Sequence, residues 1–190
     1  MFIPFVLVVL TVAYRVATAY FDVLPNFAPL MALAFCVGIY TTRRVYWLIP
    51  LAALLLSDFL LNLHYGEPFF TWYLVASYAV YAVGATVGGW VRQHPAWHHL
   101  AAGSLLSSVL FYLATNTVSW WTEPGYAKTA AGWVQALTIG LPGYPPTWVF
   151  FRNTVLSDLF FIAAFVLVME FSRRRDWVSA GVAPAFAFSR

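Results

Sequence analysis

Charge is what this chain has least of. Asp, Glu, Lys and Arg make up 9% of its 190 residues, where a soluble domain carries roughly 25%. With 62% hydrophobic residues, it lacks the polar side chains to cover a surface in water, which leaves lipid as its solvent. Cysteine is nearly absent too. Cys36 stands alone inside an apolar run, so an intrachain disulfide is excluded. There is no nucleophile motif, phosphate loop or dinucleotide fingerprint. No enzyme, cofactor or nucleic-acid partner is therefore expected. A membrane enzyme using Asp58 or Asp158 as acid–base would need a fuller catalytic set than the sequence offers.

What is present is length of apolar run. A helix needs about 20 apolar residues to cross the hydrocarbon core. Phe2–Tyr20, Val45–Leu63, Phe69–Val91, Leu100–Trp121 and Phe150–Phe171 meet that need. Phe27–Tyr40 is shorter and starts among Pro25 and Pro29, so a broken start is expected, of a kind tolerated where neighbouring protein satisfies the freed backbone. Ala127–Leu141, bounded by Pro124-Gly125 and Pro142-Gly143, reads as an interfacial or re-entrant segment. Ala17-Thr18-Ala19 resembles a signal-peptide cleavage site, but no Lys or Arg precedes the apolar stretch and Arg15 interrupts it. The expectation is an all-α polytopic bundle of about six transmembrane helices over residues 1–175, followed by a cytoplasmic tail, 176–190.

The loop charges orient it. Arg43, Arg44, Arg92, Arg173, Arg174 and Arg175 follow the even-numbered helices; Asp22, Glu67, Glu123 and Lys128 follow the odd-numbered ones. Loop Lys and Arg favour the cytoplasmic side, so both termini are expected there, in an inner (plasma) membrane. Arg152, at the outer end of the last helix, is the exception. A seventh span would put Arg173–Arg175 outside. The basic tail also admits contact with anionic lipid. Tyr20, Tyr40, Tyr46, Trp47, Trp72, Trp90 and Trp148 fall where an aromatic belt is expected.

Within the spans, small residues recur four apart: Ala13 and Ala17, Ala34 and Gly38, Gly84 and Gly88. Such spacing lets helix backbones approach closely, either inside the bundle or against a partner. Polar residues also align. Arg15, Asp58, Arg152 and Asp158 are ionisable at membrane depth, where a charge costs about 2.5–3.5 kcal/mol on insertion scales and normally pairs or lines a cavity. The predicted topology brings all four to the outer half. Asp58 shares a helix face with Asn62, Asp158 with Thr154, and Arg15 with Thr11. Ser104, Ser108, Tyr112, Asn116 and Trp120 recur every four residues, as do Tyr73, Ser77 and Tyr81. These stripes must face one another, as a buried network or as a polar cavity. His94, His98 and His99 share one turn, but Pro95 interrupts it and no thiol or carboxylate is near, so no metal is expected. Leu-Ser-Asp occurs at 56–58 and 156–158, a hint of two related halves.

Six short helices, Ala13-xxx-Ala17 and Leu56-Ser57-Asp58 resemble the substrate-binding (S) components of energy-coupling-factor vitamin transporters. Arg15, Pro25-Asn26-Phe27-Ala28-Pro29, Leu56-Ser57-Asp58, Ala114-Thr115-Asn116 and Phe150-Phe151-Arg152-Asn153-Thr154 are similar to motifs of an uncharacterised bacterial membrane family that is itself S-component-like. The resemblance implies a ligand site at the outer face, capped by the loops after the odd-numbered helices. It also implies that Ala13 and Ala17 face a transmembrane coupling subunit driven by ATPases. The expected function is substrate binding for an importer of a vitamin-like small molecule. Arg15, Asn26, Asp58, Asn62, Asn116, Trp120, Arg152, Asn153 and Asp158 are the expected ligand-binding residues, with Arg15 pairing with Asp58 or Asp158, Arg152 meeting an anionic group and Trp120 or Trp121 stacking on a ring. The alternative is a non-catalytic subunit of a larger membrane complex, its polar stripes serving to hold the helices together.

Overall fold

The computed structural model describes residues 2–21, 25–66 and 68–180, with backbone only at 2–4, 44 and 173–180. Asp22, Glu67 and the tail from 181 onward lie outside the described residues, as do the side chains of Arg173, Arg174 and Arg175. Seven α-helices and no strand are found among the described residues. They are α1 Phe2–Tyr20, α2 Leu30–Tyr40, α3 Leu48–Tyr65, α4 Trp72–Gln93, α5 Trp97–Thr122, α6 Ala130–Leu137 and α7 Thr147–Ala180. A 3-10 turn, Arg44–Trp47, leads into α3. Val45–Tyr65, Trp72–Gln93, Trp97–Thr122 and Thr147–Ser172 are each long and apolar enough to cross a membrane; Phe5–Tyr20 and Leu30–Tyr40 are apolar but shorter. α7 continues through residue 175 without a break.

The apolar residues of α2 cover its whole circumference, and a helix with no polar face belongs in an interior. Every residue from Leu30 to Ile39 is buried, and α2 packs on α1, α3, α4, α5 and α7. The tightest contact is with α4, and small residues create it. A Cβ on Gly38 would sit 1.9 Å from the Ala85 carbonyl oxygen, and one on Gly88 2.0 Å from that of Phe35. The two backbones therefore touch, with Phe35 and Gly38 on one helix facing Ala85 and Gly88 on the other and the Met31 sulfur lying against Gly84.

Each end of α2 is tied to its neighbours. The helix starts at Leu30, after Pro29, and the preceding chain turns at Asn26, whose φ is 61°. Asn153 Nδ2 donates to the Pro25 carbonyl at 3.0 Å, and Ser157 Oγ to that of Ala28 at 3.0 Å. At the other end Arg92 donates to the Gly38 and Thr41 carbonyls. These carbonyls have no donors within the helix, and a cation suits the negative end of its dipole. Tyr40 donates to Glu170 Oε1 at 3.1 Å.

The other helices follow familiar local rules. Thr71 caps α4 by accepting from the Leu74 amide at 3.2 Å, and Thr129 caps α6 by accepting from Gly132 at 3.2 Å. α3 ends at Gly66, with φ 70°, a left-handed position that glycine adopts at little cost. The eight residues of α6 rise only ~12 Å, too short to cross a bilayer. Helix α6 and its loop are held by Trp120 Nε1 to the Ala127 carbonyl at 2.9 Å, Lys128 Nζ to the Glu123 carbonyl at 2.6 Å, and Tyr112 to the Leu137 carbonyl.

The α2–α4 contact makes a sharp prediction. Gly88→Val should lower the melting temperature of the purified protein by several degrees, overpacking typically costing about 1–3 kcal/mol. Gly89→Ala should leave it near the wild-type value, because the nearest group to its new Cβ is the Gly38 carbonyl oxygen at 3.9 Å.

Candidate functional site

Helix α1 brings Arg15, between one and two turns before its C-terminal end, to α3, and the reason is electrostatic. A guanidinium among apolar helices needs an anion and further acceptors. Arg15 Nη1 lies 2.5 Å from Asp58 Oδ1 and donates to Ser57 Oγ at 2.5 Å. The side chains are 22% and 14% exposed, so water screens the pair only in part. Ser57 in turn donates to the Leu54 carbonyl at 2.9 Å. This is the ion pair found among the described residues. Its neighbour Tyr65 donates to the Ala19 carbonyl at 2.8 Å, joining the C-terminal ends of α1 and α3.

Asp158 approaches the same space from α7. It is 1% exposed, and its Oδ2 accepts from Ser108 Oγ of α5 at 2.6 Å. The stripe on α5 thus meets the stripe on α7, and Ser108 also donates to its own helix at Ser104. From α4 come Tyr73, Ser77 and Tyr81. The Tyr81 ring stacks on Phe111 with centroids 5.6 Å apart, and Ser77 Oγ is buried with no hydrogen-bond partner among the described residues.

Between these groups lies a cavity of about 260 Å³. Arg15, Asp58 and Asp158 line it together, with Thr154 above Asp158 and Ser77, Tyr73 and Tyr81 from α4. The segment from Pro25 to Ala28 forms one wall, and Met31, Leu54 and Phe111 add apolar surface. The cavity therefore sits at the N-terminal end of α2, where that helix stops short.

The expected ligand residues divide in two. Arg15, Asn26, Asp58 and Asp158 line the cavity. Asn153 does not line it but holds the Pro25–Ala28 wall in place. Asn62, Asn116, Trp120 and Arg152 lie outside its lining. Asn62 donates to the Pro68 carbonyl at 3.3 Å and Asn116 to that of Tyr112 at 2.8 Å. Trp120 is engaged with the α6 loop. Arg152 is exposed, donates to Asn153 Oδ1 at 3.1 Å and lies over the Trp148 ring at 5.7 Å. Outside the long helices, burial and then the Glu123 carboxylate push the Tyr126 phenol up from its ordinary value. Ala13 and Ala17 point outward from α1, exposed.

Several lining residues carried weaker signals. The Tyr73–Ser77–Tyr81 stripe is legible as a polar face, but Phe27, Met31, Leu54 and Phe111 are indistinguishable by type from core residues. Glu170 is a further buried acid on α7, and its Oε2 has no hydrogen-bond partner among the described residues. An acidic residue so near the end of an apolar run is a signal that the sequence does contain.

The architecture is that of an all-helical protein with membrane-length apolar helices around a small polar chamber. Residues 1–180 match the Family of unknown function (DUF6580), and the chain belongs to that family. No curated protein and no solved structure matches it.

The ion pair can be tested by cycle. Arg15→Met leaves the half-buried Asp58 without its cation and should cost on the order of 2–3 kcal/mol, below the cost of breaking a fully buried pair because water screens part of it, read as a lowered melting temperature. Adding Asp58→Leu should recover most of that loss. Equal melting temperatures for wild type and Arg15→Met would show that the pair contributes nothing.

Proposed function

We propose that this protein is the substrate-binding membrane subunit of a small-molecule importer, of the kind its S-component-like motifs suggest. The observation that carries the reading is the cavity shared by Arg15, Asp58 and Asp158, three ionisable groups from three helices. A membrane protein that needed these groups only to hold helices together would fill the space between them. The size suits a compact ligand, and the mix of apolar walls with a few convergent polar groups is the usual make-up of a small-molecule site. The alternative, a non-catalytic subunit of a larger membrane complex, accounts for the Asn153 and Ser157 tethers but not for the chamber.

In this reading there are six crossings of the inner membrane: α1, α3, α4, α5 and α7 cross as helices, and α2 makes the sixth crossing together with the 25–29 segment that precedes it. Both termini are cytoplasmic, the Arg-bearing connections face inward, and the chamber opens outward. The segment 25–28 and the end of α3 then border the entrance. Ala13 and Ala17, exposed on α1, offer a smooth surface to a coupling subunit, and the ATPases that drive uptake are separate chains.

Two measurements test this. First, affinity-purified protein from its own membranes, analysed by mass spectrometry, should release a bound small molecule and carry a membrane partner with ATPases. Empty protein with no such partner in repeated preparations counts against the importer. Second, in a Cys36→Ala background, a cysteine at Asn26 should react with a membrane-impermeant maleimide added to intact cells, and one at His98 only after lysis. The reverse pattern would invert the topology.

A further inference from the structure

We propose that the chamber takes a compact organic cation, an aromatic or heterocyclic amine, with its N–H group held by Asp158. The inference rests on the binding-subunit reading above and names the ligand class of that same chamber.

Charge count is the first reason. One guanidinium and two carboxylates line the space, from Arg15, Asp58 and Asp158. Arg15 is committed to Asp58 at 2.5 Å and to Ser57. That leaves Asp158 without a cation among the described residues. Its one recorded partner is the Ser108 hydroxyl on Oδ2. A carboxyl group buried to 1% exposure with a single neutral donor is poorly compensated, and a cationic N–H donor arriving in the chamber supplies what is missing. An anionic ligand would meet an unpaired carboxyl group and a guanidinium already neutralised.

The walls are the second reason. Tyr73, Tyr81, Phe27 and Phe111 bring aromatic rings to the lining, and a cation among aromatic faces gains further attraction from their quadrupoles. The third is Ser77. Its hydroxyl is buried, belongs to a residue that lines the chamber and has no hydrogen-bond partner among the described residues, so a polar atom of the ligand has a second place to dock. The volume of about 260 Å³ limits the guest to a ring with a short substituent. Arg152, the residue best suited to an anion, lies outside the lining.

Three probes of equal size and different charge test the assignment: benzylamine, benzyl alcohol and benzoate. They are titrated at neutral pH into purified protein in detergent, with binding read by calorimetry. Benzylamine should bind at least about tenfold more tightly than benzyl alcohol, the scale of one hydrogen bond to a charged group, and benzoate should bind least. Asp158→Asn, which keeps an acceptor for Ser108, should weaken benzylamine at least about tenfold, so that its preference over benzyl alcohol is lost. If that variant does not fold, the wild-type comparison still decides. Equal binding of the three probes, or tightest binding of benzoate, overturns the cation assignment and leaves the binding-subunit reading standing. If no probe binds yet a small molecule co-purifies with the protein, the subunit reading survives and the charge of that molecule decides the class: a cationic amine upholds the assignment, and a neutral or anionic compound overturns it. If no probe binds and nothing co-purifies, both fall.

Discussion

The contact between α2 and α4 is the constraint on which the rest of the molecule depends. A helix of eleven residues rises only about 16 Å, roughly half the thickness of a hydrocarbon core. On its own it could neither span a bilayer nor satisfy its ends there. It persists because five other helices enclose it, and because Gly38 and Gly88 let its backbone lie directly against α4. Apolar burial gives little drive between helices in lipid, so close van der Waals contact through small residues carries the association. The carbonyls that α2 leaves open are then met by Arg92 from the same α4.

The shortness of α2 has a direct consequence at its other end. Where the helix stops, the chain runs on as the Pro25–Pro29 segment, held by Asn153 and Ser157 of α7. Longer neighbours continue past it and enclose a space that no side chain fills. Arg15, Asp58 and Asp158 border that space. Arg15 and Asp58 neutralise each other there and Ser57 adds a hydrogen bond, while Asp158 has only the Ser108 hydroxyl. The chamber and the broken helix are one feature, since a longer α2 would occupy the volume that a ligand needs.

Much of this was legible in the residues themselves. The lack of charge and the length of the apolar runs give the protein class, and the short run after Pro25 and Pro29 foretells the broken helix. The pairs Ala34/Gly38 and Gly84/Gly88 mark faces of close approach. The i, i+4 stripes of Arg15, Asp58, Tyr73–Ser77–Tyr81 and Asp158 mark faces that turn away from lipid. The site was readable less evenly. Asn116, Trp120 and Arg152 have the right chemistry at the right level, yet each finds its partner locally, in its own helix, in the α6 loop or in the next residue.

The order of residues alone settles which side chains share a face of each helix, because a rise of 1.5 Å and 3.6 residues per turn are fixed by backbone geometry. It could not determine how each helix is rotated against the others. That Arg15 pairs with Asp58, 43 positions along the chain, rather than with Asp158 was decided only by tertiary packing. So was the gap between them: a cavity has no residues of its own, and it exists only where several helices fail to meet.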